Sequence, residues 1–189
     1  PEEESGARRA IAAEFDATLV AGRLTRVTVP SPFTLAESAP PARPDSTKLP
    51  AARLLAAGSG QLACGPDGST LETAVLEGGV TLSEGAATSV RAPRATLRGA
   101  EESAVFAGTT EQPARYEDGK ARVTATVLTW FRRDGRIEGA GSVKTSFRGR
   151  QGSEVLGGSS DSPIFSESDF LRVVPAERTV ILTGNVTAS

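Results

Sequence analysis

The sequence predicts an all-β protein made of repeated antiparallel hairpins, and three observations carry that prediction. Three segments share one pattern: Thr73-Ala74-Val75-Leu76-Glu77-Gly78, Ser103-Ala104-Val105-Phe106-Ala107-Gly108 and Thr179-Val180-Ile181-Leu182-Thr183-Gly184. Each places a hydroxyl residue before an apolar run, a variable residue and a glycine, which is the self-similarity of a repeat architecture. The stretch from Val123 to Trp130 alternates threonine with apolar residues. It is too short for a helix and rich in β-branched side chains, as strands are. Between it and the next strand lies Arg132-Arg133-Asp134-Gly135, whose Asp-Gly supplies the positive φ of a tight hairpin.

The repeat extends beyond the glycines. A degenerate fourth copy ends at Gly141, and the four glycines are spaced 30, 33 and 43 residues apart. Val80, Val143 and Val186 follow their glycines by two residues. Upstream, Val90 and Val123 open matching segments eighteen residues before Gly108 and Gly141, and Ile164 to Leu171 fits the last copy. Glycine within a strand marks a bulge, a bend or a close backbone approach. A bend recurring at one point of every repeat is what a stacked, curved β-architecture requires. A strictly constant repeat length favours a β-solenoid, whereas the unequal spacing favours a jellyroll of hairpins.

Three regions follow. Residues 1–36 form an N-terminal segment. Its first 14 residues, through Ala10-Ile11-Ala12-Ala13-Glu14, read as a short helix, and Phe15 to Val29 as a hairpin turning at Ala21-Gly22. Residues 37–50, with Pro40, Pro41, Pro44 and Pro50, read as a loop. Residues 51–189 hold the β-repeats, interrupted by a Gly- and Ser-rich loop over residues 149–163.

Composition narrows the chemistry. Apolar residues make up 38% and aromatics 5%, enough for a thin core of Val, Leu, Ala and Phe. The net charge is −2 and the pI about 5.4, so no global field draws nucleic acid. The sequence starts at Pro1 and contains no methionine, pointing to a signal peptide or anchor removed from view. The single cysteine, Cys64, excludes an internal disulfide. With no histidine present, the usual general base, catalytic triad and most zinc sites are missing. Carboxylate pairs such as Glu101-Glu102 and Glu117-Asp118 sit in turn-like sequence, where acids are solvated, so a carbohydrate-cleaving enzyme is disfavoured. Neither a catalytic site, a metal nor a cofactor is expected.

The pattern of an alternating Val/Ala strand, a hairpin and a Leu-x-Gly-x-Val ending resembles the repeat of the OstA-like proteins of lipopolysaccharide transport. It is clearest from Asp161 to Ser189, ending in Glu177-Arg178-Thr179-Val180-Ile181-Leu182-Thr183-Gly184-Asn185-Val186, and again from Tyr116 to Ser146. The resemblance covers roughly residues 60–189, and residues 1–60 match no known pattern.

The resemblance implies an OstA-like β-jellyroll: two sheets forming an open, twisted trough with acyl chains between them. The implied role is a non-enzymatic periplasmic carrier or bridge that moves lipopolysaccharide, or a related glycolipid, to the outer membrane. The alternative is a structural β-solenoid scaffold or polymerising repeat protein. Alternation places Leu76, Val80, Phe106, Val143, Phe147, Leu182 and Val186 on the inner faces as candidate groove residues. Residues 120–150 carry eight basic side chains against two acids. Of these, Arg132, Arg133, Arg136, Lys144 and Arg148 are candidates for a rim meeting lipid headgroups, although solvated outward positions and protected strand edges are the more ordinary explanation. Implied partners are other lipopolysaccharide-transport proteins through edge-strand docking, and further copies of the chain head to tail.

Overall fold

A computed structural model of the chain describes residues 8–38, 52–148, 163–174, 177 and 179–189. Sixteen strands occur among them: β1 (Arg8–Ala12), β2 (Asp16–Val20), β3 (Arg23–Val29), β4 (Phe33–Glu37), β5 (Arg53–Ala57), β6 (Ser59–Cys64), β7 (Leu71–Glu84), β8 (Thr88–Arg98), β9 (Ser103–Ala107), β10 (Ala114–Glu117), β11 (Ala121–Ala125), β12 (Val127–Phe131), β13 (Ile137–Arg148), β14 (Pro163–Val174), β15 (Thr179–Thr183) and β16 (Thr187–Ala188). Every pairing is antiparallel, which sets aside a parallel solenoid.

The long strands β7, β8, β13 and β14 bend midway and belong to two layers. One layer, sheet I, runs β1-β4-β5, the second half of β7, the first half of β8, β10-β11, the second half of β13, the first half of β14 and β16. Sheet II runs β2-β3-β6, the first half of β7, the second half of β8, β9-β12, the first half of β13, the second half of β14 and β15. The chain crosses between layers at a line of corners, so the sheets are joined along one seam and free along the opposite edge. There the hairpin turns lie.

Each repeat crosses the seam twice. One crossing falls at Gly58, Pro93, Thr126 and Asp169, and the other at Gly78, Gly108, Gly141 and Gly184. Backbone bonds stitch neighbouring corners together: Gly58 N–H to Glu77 O at 2.9 Å, Gly108 N–H to Thr126 O at 2.8 Å and Asp169 N–H to Gly184 O at 3.2 Å. The glycines serve two different needs. Gly78, Gly141 and Gly184 have φ of +78°, +76° and +71°, a region that costs other residues energy. Gly108 lacks a positive φ, but a Cβ there would lie 2.4 Å from the Ala114 nitrogen. Pro93, which has no N–H to give, faces the bulge at Gly78-Gly79 across the β7–β8 pair.

The N-terminal helix expected from Ala10-Ile11-Ala12 does not form over the described part. Arg8–Ala12 is a strand paired with Phe33–Glu37. A short apolar run is ambiguous between helix and strand, and one helical turn has little stability of its own, so pairing with β4 decides. The hairpin of β2 and β3 turns at Ala21-Gly22. Of the expected loops 37–50 and 149–163, residues 39–50 and 149–162 lie outside the described residues, whereas Glu37 ends β4 and Pro163 opens β14, each held by strand pairing.

Register lines inward-facing side chains into continuous rows. Next to the seam in sheet II runs Val29–Gly60–Leu76–Ala95–Phe106–Leu128–Gly139–Leu171–Leu182. One step farther out runs Val27–Leu62–Ala74–Leu97–Ala104–Trp130–Ile137–Val173–Val180. Sheet I answers with Leu35–Leu55–Leu82–Val90–Tyr116–Val123–Thr145–Ser166–Ala188.

Candidate functional site

Inward-facing side chains are fully buried near the seam, and several of those away from it are half-buried. Leu76, Phe106 and Leu128 in sheet II, with Val80, Val123 and Val143 in sheet I, are buried. Burying such side chains contributes roughly 1.5–3 kcal/mol each, so the interior is a packed core, which reaches the outer rows at Val90, Val123 and Ile137. Farther out, Leu62, Leu71, Leu97, Trp130 and Val173 of sheet II and Leu35, Leu82 and Tyr116 of sheet I are only half-buried against that core. These side chains form two apolar lips along the free edges. An apolar cleft with few polar groups is the form a site for an apolar ligand takes.

The candidate groove residues are distributed as follows. Leu76, Phe106 and Leu182 share the seam-side row of sheet II, and Val80 and Val143 are buried in the same core. Phe147 is half-buried beside Ala121 and Ile164. Val186 follows the last corner and is 49% exposed, outside the rows. The lip residues Leu97 and Trp130 escaped the sequence reading, although parity with Ala95 in β8 and with Leu128 in β12 would have placed them inside.

The basic candidates do not gather into one rim. Lys144 lies on the outer face of sheet I, paired to Glu167 at 3.0 Å. Arg136 lies outside sheet II, its guanidinium 3.9 Å from the centroid of the Phe131 ring and 3.0 Å from Glu138, which also pairs with Arg172. Arg132 and Arg133 occupy the exposed β12–β13 turn at the free edge of sheet II. From there Arg132 reaches Glu37 of sheet I at 3.8 Å, bridging the lips. Glu37 also meets Arg53, which pairs with Glu84. Arg148 ends β13. Tyr116, on the lip of sheet I, donates to Asp118 at 2.9 Å; burial, and then the Asp118 charge, push its phenol well above the ordinary range.

Two depressions lie on the outside. One, of about 520 Å³, sits on sheet II between Val127, Ala140, Phe170 and Ile181. The other, of about 500 Å³, lies by the β2–β3 and β6–β7 turns and includes the free thiol of Cys64. In the β6–β7 turn Asp67 accepts from the Thr70 hydroxyl and N–H and from both Ser69 donors. Those bonds hold its carboxyl far below the usual range. Among the described residues, no group of His, Cys, Asp and Glu is arranged to hold a metal ion and no helix is long and apolar enough to cross a membrane.

The arrangement of antiparallel strands is similar to that of a solved structure. The crystal structure of LptH from Pseudomonas aeruginosa, the LptA-homologous periplasmic component of a lipopolysaccharide transport device, superposes with a TM-score of 0.53 at 15% identity. The match covers 72% of this chain and 93% of that one. The fold is the LptA-like β-jellyroll. No protein-family model matches the sequence, and no curated protein matches it either. The jellyroll likeness is therefore carried by architecture and by the repeat, and the protein it links to this chain is a transport component rather than an enzyme.

Proposed function

We propose that this chain is a non-enzymatic periplasmic lipid carrier of the OstA-like family, acting as a bridge in lipopolysaccharide transport. The single observation carrying the reading is the cleft: apolar rows on both inner faces, packed at the seam and half-buried at the lips, in a fold shared with LptH. Acyl chains enter between the lips and lie along the half-buried row of Leu62, Leu97 and Trp130, on the core that Leu76, Phe106 and Leu182 border. Headgroup phosphates remain outside, where Arg132 and Arg133 stand at the free edge. The sheets are joined only along the seam, so widening the mouth breaks the Arg132–Glu37 pair, an exposed contact worth at most about 1 kcal/mol, and leaves the backbone ladders intact.

Docking to other transport components, or to further copies, uses the terminal strands. At one end β15 and β16 pair only with β14, and at the other β1 pairs only with β4 and β2 only with β3 among the described residues. Both ends expose apolar side chains, Ile11, Phe15 and Leu19 at the first and Phe165, Val180 and Ile181 at the last. Open edges with apolar flanks add strands from neighbours, and the inner rows would then run on from unit to unit.

A photo-crosslinking residue at Leu97, on the inner face, tests the reading against one at Thr96, its outward neighbour. In cells that make lipopolysaccharide, capture from position 97 and none from 96 is expected. Equal capture from both rejects the cleft as the site.

A further inference from the structure

Among the described residues only four polar side chains are buried: Ser103, Thr145, Ser166 and Ser168. Ser103 bonds Glu101 at 3.2 Å beside the β8–β9 turn. The other three stand together, buried between the sheets. Register aligns Thr145 with Ser166 and Val143 with Ser168, so all share the inner face of sheet I. Thr145 and Ser166 interrupt a row that is otherwise leucine, valine and tyrosine from Leu35 to Val123, and Ser168 lies one step nearer the seam beside Val143. The facing rows of sheet II stay apolar through Leu182 and Val180. The cleft therefore changes character along its length, from hydrocarbon on both walls to a hydroxyl-bearing wall at its C-terminal end.

The protons of this cluster do not balance within the protein. Ser168 Oγ donates to the Phe170 carbonyl at 2.9 Å. The Thr145 and Ser166 hydroxyls bond each other, which uses one O–H and leaves the second without an acceptor among the described residues. A buried donor without a partner is costly. Valine at 145 and alanine at 166 would fill the wall without that cost. A single oxygen atom supplied from inside the cleft removes the imbalance.

We infer that Thr145, Ser166 and Ser168 form a hydrogen-bonding station for an oxygen function carried on the ligand's hydrocarbon, a chain hydroxyl or an ester or amide carbonyl. The inference rests on the cleft being an acyl-chain site, and it adds a specificity to that site. The spare O–H donates to the ligand oxygen, and the Ser168 oxygen accepts from a chain hydroxyl. A plain chain fits the apolar length of the cleft equally well and gains nothing at this end.

The test compares tetradecanoate with 3-hydroxytetradecanoate, each displacing a fluorescent fatty acid from the full chain below micellar concentrations. The hydroxylated probe is expected to bind about tenfold tighter, the worth of one buried hydrogen bond. In the double variant Thr145→Val with Ser166→Ala that preference should vanish while tetradecanoate binding holds. Removing both partners of a buried bond is close to neutral for folding, and an unchanged thermal midpoint checks this. Equal binding of the two probes by the unmodified chain, or a preference that survives the double substitution, overturns the station and leaves the carrier reading standing. Binding of neither probe overturns both.

Discussion

The backbone N–H of Thr126 donates to the carbonyl of Gly141 at 2.8 Å, and the Thr126 hydroxyl reaches the same oxygen at 3.1 Å. The two residues are the paired corners of one repeat, where the chain passes from one sheet to the other and back. Equivalent contacts join Gly58 to Glu77 and Asp169 to Gly184. The cleft exists because these corners hold the sheets together on one side only.

The seam is sensitive to a single added carbon. In Gly58→Ala the new Cβ would sit 2.8 Å from the Gly78 carbonyl oxygen and 2.9 Å from its Cα, both backbone atoms that cannot step aside. A loss of about 1–3 kcal/mol in urea unfolding is expected. Gly79→Ala, with φ of +86° and open space around it, should lose only about 1 kcal/mol, from backbone strain.

Burial separates two phenylalanines of similar sequence character. Phe106 is fully buried in the seam-side row, whereas Phe170 is 56% exposed on the outer face of sheet II. Phe106→Ala should destabilise the fold by about 3–5 kcal/mol, and Phe170→Ala by no more than about 0.5 kcal/mol. Chemical denaturation of the two variants measures the contrast.

The repeat glycines made half of this seam legible in the sequence. Gly78, Gly108, Gly141 and Gly184 mark one corner of each repeat because backbone geometry there excludes most other residues. The opposite corners are held by Gly58, Pro93, Thr126 and Asp169, four chemically unlike residues with no shared signature, so they could not be read. Alternation placed Leu76, Val80, Phe106, Val143 and Leu182 inside, but not Val186, which lies past the last corner. The basic residues were misleading as a group: a local excess of charge in sequence distributes Lys144 and Arg136 to the outer faces of different sheets, since neighbouring strands and bulges send them apart. The strand Arg8–Ala12 was hidden because only its distant partner, β4, distinguishes it from a helical turn.

Acid should weaken the β6–β7 turn in a defined window. The folded Asp67 carboxyl titrates well below its unfolded value, so its contribution is complete above about pH 4 and is lost as pH falls through the folded value. The deficit of Asp67→Ala relative to the unmodified chain should be largest near pH 6 and shrink steadily below pH 4, as read from unfolding midpoints. A deficit independent of pH would mean that the turn does not depend on the charge.

End-to-end docking leaves a concentration-dependent signature. Val180 closes the outer row of sheet II and is 42% exposed on an edge strand. Light scattering should show growth of oligomers with concentration, and Val180→Lys, which puts a charge on that edge, should leave monomers. A chain that is monomeric at every concentration in both forms would confine docking to different partners.

The central claim, that acyl chains lie between the sheets, is tested most directly by the one tryptophan of the chain. Trp130 is half-buried on the inner lip of sheet II, in register with Ala104 and Ile137. Lipids brominated along their acyl chains quench tryptophan fluorescence only on close contact. Titration of the chain with such a lipid should quench Trp130 strongly and saturably. A variant carrying Trp130→Phe with Thr129→Trp, which moves the indole to the outer face, should keep most of its emission. Undiminished Trp130 fluorescence at saturating lipid, or equal quenching from position 129, would contradict the account.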